Sequence, residues 1–471
     1  MNIRPLHRSV HLPFVAAALL LSALSFARWR SAGTIGLDVV FPPDPVAGII
    51  GILFFVAVLL IAYGYYNAVL RCDELGLTLD RTLTLAKALA VISFIGMPLL
   101  SNDIYIYLSC GQAPLNGFNP YTDVADLASS IYHRFVPPIW AEGPYCKYGP
   151  AALSLAQFAA FVGGPSPIAG LFVWKLLSLG AFFLFCDAAA LLLKRLGNAG
   201  GAVGPFILLS PLLWVQGVGQ GHNDLFAVLF LSGSLLALLY RRWILGALLL
   251  TAGMQIKLYL LPLFLLAIFL WHRDEGVNRR SVTTLIAAAL LSGLLAALLY
   301  VPYWGGAASL RALYEPLLAE EPMNNIPYLI PYGLDLLFPA LAPYEATLQT
   351  ALRTALLAAV AAVTVWQVVR LARRRDEPFL VFLRIMVLVI CFTSLRFHSW
   401  YFIAVLPLFA AGAPRVWLRW GAWVFPLTLL FDIHNFVPRD SWVLLALLPP
   451  AVVLVNLLFL FKLPERLTGR T

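Results

Sequence analysis

Residues 46–69 read VAGIIGILFFVAVLLIAYGYYNAV, a run of 24 positions with no charged side chain. Wound as a helix at about 1.5 Å per residue it is roughly 36 Å long, enough to cross a hydrocarbon layer of roughly 30 Å. Apolar runs recur along the whole 471-residue chain, over 10–27, 84–100, 168–193, 203–217, 224–240, 243–270, 281–303, 347–369, 379–396, 401–413, 420–435 and 441–461. With 61% hydrophobic and 12% charged residues, the balance lies outside every soluble globular class. The runs are continuous rather than alternating, which excludes a closed β-barrel. The expected fold is therefore all-α: a polytopic transmembrane helical bundle of about 12–14 spans, forming a single transmembrane domain over residues 1–471.

Charge sets the orientation. The formal net charge of +9 would suit nucleic acid if it lay on one face, but the cations sit in short clusters between runs, so the expected surroundings are membrane lipids and no nucleic acid. With the N-terminus inside, Arg71/Arg81, Lys194/Arg195, Arg241/Arg242, Arg273/Arg279/Arg280, Arg370/Arg373/Arg374/Arg375, Arg415/Arg419 and Lys462/Arg466/Arg470 all fall on the cytoplasmic side. Outside remain two sizeable loops, 101–150 and 304–346, rich in Tyr, Trp, Pro and Asn. Arg4, His7 and Arg8 before the first run resemble the head of a signal peptide, and Ser25-Phe26-Ala27 a cleavage site; the run reads as an uncleaved anchor. The run 151–162 is too short to span, and 243–270, with cations at both ends, reads as two short helices meeting near Gln255-Ile256-Lys257. Five cysteines are too few for a disulfide framework, though Cys110 and Cys146 share one outer loop, where an oxidising compartment would allow a bridge.

Ionisable groups mostly avoid the spans, as the cost of about 2.5–3.5 kcal/mol for a charge at mid-bilayer demands. The embedded exceptions are Lys175, Asp187, Lys257 and Arg384; Lys175 and Asp187 stand too far apart along one helix, roughly 18 Å, to pair. Polar residues collect instead at the outer ends of spans, in SNDIYIYLSCG (101–111), NPYTD (119–123), WAEGPYCKYGP (140–150), QGHND (220–224) and RFHSWY (396–401). A helical bundle brings span ends together, so these five segments can line one cavity.

Each segment admits a structural and a chemical reading. Ser101, Asn102 and Asp103 are good N-cap residues and Gly111 would stop a short interfacial helix carrying Tyr105 and Tyr107; alternatively, Asp103 is a general base at the membrane surface. Tyr145 and Tyr148 suit an aromatic belt and Gly149-Pro150 suits the start of a helix, while Lys147 among them suits a phosphate. His222, Asn223 and Asp224 make a turn, or line a polar pocket; without a second His or Cys at ligand spacing, no metal is expected. Arg396 and His398, with Trp400 and Tyr401, stand against the positive-inside bias, where they would bind anionic head groups or stabilise a phosphate that gains charge on leaving. Lys257, at the apex of its two half-helices, would reach the same region or snorkel.

Taken in order, SNDIYIYL, GFNPYTD, KYGP, LSPLLWVQGVGQGHNDLFAVLF, GALLLTAGMQIKLYLLPLF and RFHSWYF resemble the GT-C superfamily of membrane glycosyltransferases, most closely the polyprenyl-phosphate-mannose-dependent α-mannosyltransferases of bacterial envelopes. The likeness covers roughly residues 85–410. It implies a GT-C-like architecture with interfacial helices in the first outer loop, and an inverting transfer of a sugar, mannose in the nearest family, from a polyprenyl phosphate to a hydroxyl of an envelope glycan or glycolipid on the non-cytoplasmic face of the cell membrane. It casts Asp103 as catalytic base and Tyr105, Lys147, Tyr148, His222, Asn223, Asp224, Lys257, Arg396, His398, Trp400 and Tyr401 as substrate contacts, with no cofactor. Many members carry two adjacent acids in this loop; here Asn102 precedes Asp103, and the next acids are Asp123, Asp126 and Glu142, a departure that argues against a metal-assisted variant. Two rivals remain: a lipid-linked oligosaccharide flippase, which calls for pseudo-symmetry and mid-depth charges, and an envelope polymer ligase, which would use similar outer residues.

Overall fold

A computed structural model describes residues 11–31, 45–123, 130–135, 146–310, 338–373, 377–393 and 398–430. Among them there is helix and no strand. In chain order the α-helices are α1 His11–Ser31, α2 Pro45–Leu70, α3 Leu79–Ile95, α4 Asp103–Gln112, α5 Pro150–Gly163, α6 Pro167–Arg195, α7 Val203–Leu208, α8 Asp224–Leu239, α9 Trp243–Met254, α10 Leu263–Glu275, α11 Arg279–Tyr300, α12 Glu345–Ala372, α13 Pro378–Thr393 and α14 Arg415–Thr428. A π-helical segment, Leu212–Gly219, precedes α8, and a 3-10 segment, Ser399–Ala411, precedes α14. The structure bears out the all-helical, polytopic expectation. Among the described residues four stretches are long and apolar enough to cross a bilayer, Gly48–Leu70, Pro167–Arg195, Arg279–Tyr303 and Thr347–Leu371, and seven shorter apolar helices accompany them.

Local chemistry explains the boundaries. Thr78 caps α3 by accepting the Arg81 amide, Ser166 caps α6 by accepting that of Ala169, and Asn278 and Ser281 close a reciprocal capping box on α11. Pro150 at the first turn of α5 loses nothing, since its missing N–H would have been unpaired there. The stretch 243–270 breaks where expected: α9 ends at Met254, Gln255 to Lys257 leave the helix, and a 3-10 turn over Leu258–Leu260 leads to Pro262 and α10.

The core is built around α3, α6, α8 and the π segment, with the Ser399–Ala411 segment packed against α8 and α13. Trp174, Trp214, Phe182 and Phe185 are fully buried there. The embedded charges resolve differently from their spacing in sequence. Lys175, with no exposed surface, donates to the carbonyls of Ser93 and Gly96, which α3 cannot use as it unwinds. Asp187 instead meets Lys87 of α3 at 2.7 Å.

Helix direction sorts the two ends of the bundle. α8 starts at Asp224 and ends just before Arg241, whose neighbourhood includes Arg195, 5.2 Å from the Tyr240 ring. Lys194/Arg195, Arg241/Arg242 and Arg273/Arg279/Arg280 therefore share the end opposite Asp224, and helix connectivity sends Asp103, Tyr148 and Lys257 to the Asp224 end.

Candidate active site

Asp103 opens α4. Asn102 occupies the cap position without a side-chain cap bond, and the hydroxyl of Ser101 accepts the Asp103 amide at 3.1 Å. The capping role thus falls to Ser101, and the Asp103 carboxylate points to other work. The helix does not stop at Gly111 as its sequence suggests; it runs to Gln112 and closes through a 3-10 turn at Gly117, which takes φ +84°. Gly111 serves close packing instead, because a Cβ there would stand 2.3 Å from the Ala156 carbonyl carbon of α5.

One helical turn after Asp103 comes Tyr107, on the same face. Its hydroxyl donates to Asp103 Oδ2 at 3.2 Å and lies 3.4 Å from His222 Nδ1, which is itself 3.6 Å from Asp103 Oδ2. Three side chains thus close a triangle. His222 is held by its loop: Gln220 Oε1 accepts the amides of Leu99 and Leu100 at 2.7 Å each, and Trp174 Nε1 donates to the Gly221 carbonyl at 2.6 Å. These bonds tie the 220–224 step to the backbone that delivers α4.

Trp400 joins the triangle to the last motif. The imidazoles of His222 and His398 both stack on its indole, at centroid distances of 3.7 and 4.2 Å, and the Tyr401 ring meets His398 edge-on at 5.5 Å.

A second polar group adjoins. Asp224, the buried first residue of α8, pairs with Lys257 Nζ at 3.1 Å through Oδ2 and accepts the Tyr259 hydroxyl at 2.5 Å through Oδ1. Lys257 also stands 5.8 Å from the Tyr148 ring and 5.4 Å from that of Tyr401, both within cation–π range. Tyr148 in turn meets Tyr107 edge-on at 4.7 Å, so one aromatic ring connects the acidic triangle to the ion pair. The break after α9 is what aims Lys257 here, and Gly149 lets it approach, since a Cβ there would lie 2.1 Å from the Gln255 carbonyl oxygen.

The electrostatics follow from this enclosure. Asp103 is 29% exposed at its side chain yet surrounded by protein; burial raises its carboxyl above the ordinary value, while Lys147, Lys257 and the Tyr107 hydroxyl pull it back. His222 moves down, because burial and then Lys257 and His398 disfavour a second positive charge. A neutral imidazole therefore faces a carboxylate that burial makes more basic. His222 Nε2 and both ends of the fully buried Asn223 amide have no partner among the described residues. No three His, Cys, Asp or Glu side chains gather around a common point among the described residues.

Lys147 is exposed, beside a disulfide that links Cys110 of α4 to Cys146 and settles the question left open by their shared loop. The Tyr121 hydroxyl donates to the Tyr148 carbonyl at 2.8 Å and fastens the same strip. Asp123 is taken up locally by the Asn119 amide and the Thr122 hydroxyl. Tyr105 lies two positions from Asp103, so on another face of α4, buried against Phe135 at 5.2 Å. Asp126, Glu142 and Arg396 lie outside the described residues. Tyr107 and Tyr259 were not picked out as site residues, although Tyr107 carried a legible signal in its four-residue spacing from Asp103.

The fold and this pocket define a class: polytopic, all-helical membrane proteins with a carboxylate, an imidazole and a paired ammonium gathered at one end of the bundle. The chain belongs to the family described as alpha-(1->6)-mannopyranosyltransferase, N-terminal domain, whose profile matches residues 14–273 and thus all of the site up to Lys257 and Tyr259. It is 28% identical over 244 residues to alpha-(1->6)-mannopyranosyltransferase A of Mycobacterium tuberculosis (strain ATCC 25618 / H37Rv), covering 51% of this chain and 46% of that protein. It is 32% identical over 130 residues to alpha-(1->6)-mannopyranosyltransferase B of Corynebacterium glutamicum, covering 27% of this chain and 21% of the relative. The A protein of that organism is 27% identical over 185 residues, covering 39% and 36%. The matches span less than half the length of each of these relatives.

Proposed function

We propose that this chain is an inverting membrane mannosyltransferase that moves mannose from a polyprenyl phosphate to a hydroxyl of an envelope glycan or glycolipid, on the face away from the cytosol. The observation that carries the reading is the Asp103–Tyr107–His222 triangle beside the Lys257–Asp224 pair, within the stretch that the family profile matches.

In the proposed step, the acceptor oxygen attacks the anomeric carbon as the bond from that carbon to the phosphate oxygen breaks. The acceptor proton passes to Asp103, and the polyprenyl phosphate departs with the electron pair as a monoester. A base raised by burial is better matched to a hydroxyl than an ordinary surface carboxylate. Tyr107 and His222 keep the carboxylate aimed, and Lys147 and Lys257 supply positive charge where the leaving phosphate gains a negative one. Sugar hydroxyls would give the buried Asn223 amide and His222 Nε2 the partners that such groups require. The outer orientation is supported by the basic clusters at the opposite end, through the positive-inside bias.

Membranes containing the chain, supplied with polyprenyl-phosphate mannose and a glycan acceptor, should form a mannosylated product detectable by mass spectrometry. Asp103→Asn should lower the rate by about 10²–10⁴-fold, the usual worth of a general base, with insertion unchanged. Full transfer by Asp103→Asn, or labelling of an Asp103→Cys chain from the cytosolic side, would refute the reading; movement of intact lipid-linked glycan without a new glycosidic bond would mark a flippase.

A further inference from the structure

The end of the bundle opposite Asp103 holds a cavity of about 840 Å³ between α9, the last turn of α10 and the first turns of α11. Its charges do not cancel. Arg241, Arg242 and Arg280 line it, and none of the three is in an ion pair among the described residues; Glu275 is the one carboxylate in the lining, and it is engaged by Trp243 Nε1 at 3.1 Å. Topology alone asks for cations on this side but not for a concavity around them.

Two further features separate this cavity from an ordinary basic surface. Arg241 takes φ +56°, the one left-handed non-glycine residue among those described, a strained conformation that persists only where the surroundings hold it. Trp271, 6% exposed, lines the same cavity, and its indole Nε1 is buried with no acceptor among the described residues. A buried N–H beside unpaired guanidinium groups calls for an anionic oxygen. Leu245 and Leu248 supply an apolar wall next to the arginines, which a soluble anion would not use and an acyl chain would.

We propose that this cavity binds a phosphate ester, with the head group of an anionic phospholipid as occupant: the phosphate between Arg241, Arg242 and Arg280, an oxygen on the Trp271 indole, and the acyl chains against Leu245 and Leu248. The site is separate from the Asp103 pocket and stands whether or not the transferase reading does.

Native mass spectrometry of the full chain, released from nanodiscs of equal phosphatidylglycerol and phosphatidylcholine, tests it. The expected result is preferential retention of phosphatidylglycerol in the wild type and at least a tenfold loss of that preference in Arg241→Gln/Arg280→Gln. Trp271→Phe should weaken it less, and Arg273→Gln, at the same end but paired with Asp274 and outside the cavity lining, should leave it unchanged. Monodispersity on size exclusion selects the variants that are compared. Addition of inorganic phosphate at 10 mM identifies the source: no displacement supports a lipid, and full displacement overturns the lipid assignment. Equal retention of both lipids by the wild type, or an equal loss in Arg273→Gln, overturns the site itself.

Discussion

The Lys257–Asp224 pair is the sharpest place to test the architecture, because its two partners are buried to different degrees. Asp224 has no exposed side-chain surface and Lys257 has 13%. Removing one partner of such a pair leaves the other charge uncompensated, at about 3–5 kcal/mol. Asp224→Asn leaves an ammonium that still faces the rings of Tyr148 and Tyr401, each contact offsetting about 0.5–1 kcal/mol, so the net cost should be about 1–4 kcal/mol. Lys257→Met leaves a carboxylate whose one remaining side-chain partner among the described residues is the Tyr259 hydroxyl, and the full cost of about 3–5 kcal/mol applies. The double variant removes both charges, so its cost should fall below the sum of the singles by about 2–3 kcal/mol, the signature of direct coupling. Unfolding by graded detergent denaturation, followed by tryptophan fluorescence, measures each corner of the cycle. Strict additivity, with coupling under about 0.5 kcal/mol, would refute the claim that these two groups hold each other in place.

Three other outcomes follow from the same geometry. Because burial raises the Asp103 carboxyl, transfer should be present when it is ionised and lost as pH falls through a value above 3.8; Lys147→Met, which removes a pull in the other direction, should move that limb to higher pH, and a limb that moves down contradicts the assignment. Reducing the Cys110–Cys146 bridge, which closes a 36-residue separation, should lower stability by about 4 kcal/mol at most by loop-closure entropy and reduce activity without moving the pH limb, as thermal scans and pH profiles with and without reductant will show. Gly149→Ala should be strongly destabilising, since its Cβ would meet the Gln255 carbonyl, whereas Gly180→Ala, with nothing within 4 Å, should be neutral or slightly stabilising; equal melting points for the two would remove the close approach from the account.

What the chain reveals in one dimension depends on whether the determinant is local. Apolar runs and the break at Gln255 to Lys257 are local, and among the described residues most runs appear as helices where the sequence puts them, with 203–217 divided into a short α-helix and a π segment; the run 441–461 lies outside the described residues. Gly111 misleads for the same reason: a small residue near a helix end reads as a stop, and only the position of Ala156 on another helix reveals that it is a packing surface. The site motifs were visible as polar interruptions, yet their pairings were not. That Lys257 pairs with Asp224, that His222 and His398 share Trp400, and that Tyr105 is set aside while Tyr107 faces Asp103 are consequences of helix phase and of which ends meet. Composition is silent on both.

Helix length then connects the site to its proposed lipid donor. α8 has 16 residues and α9 has 12, so they rise about 24 and 18 Å, short of a hydrocarbon layer of roughly 30 Å. If their basic ends rest at the inner interface, Asp224 and the neighbouring break at Lys257 fall roughly 6–12 Å below the outer one, unless the bilayer thins locally to meet them. Either accommodation would let the phosphate of the proposed polyprenyl carrier reach the level of the site without its chain leaving the membrane. On that proposal a sugar acceptor would come down to the carboxylate, a physical reason to expect a base on a short helix at the end of the bundle rather than on a soluble domain. Such a site tolerates little net charge, and the described groups comply, with Asp224 neutralised by Lys257 and His222 held neutral by its surroundings. Asp103 stays the exception because its partners pull in opposite directions, which suits the proton-accepting role proposed for it.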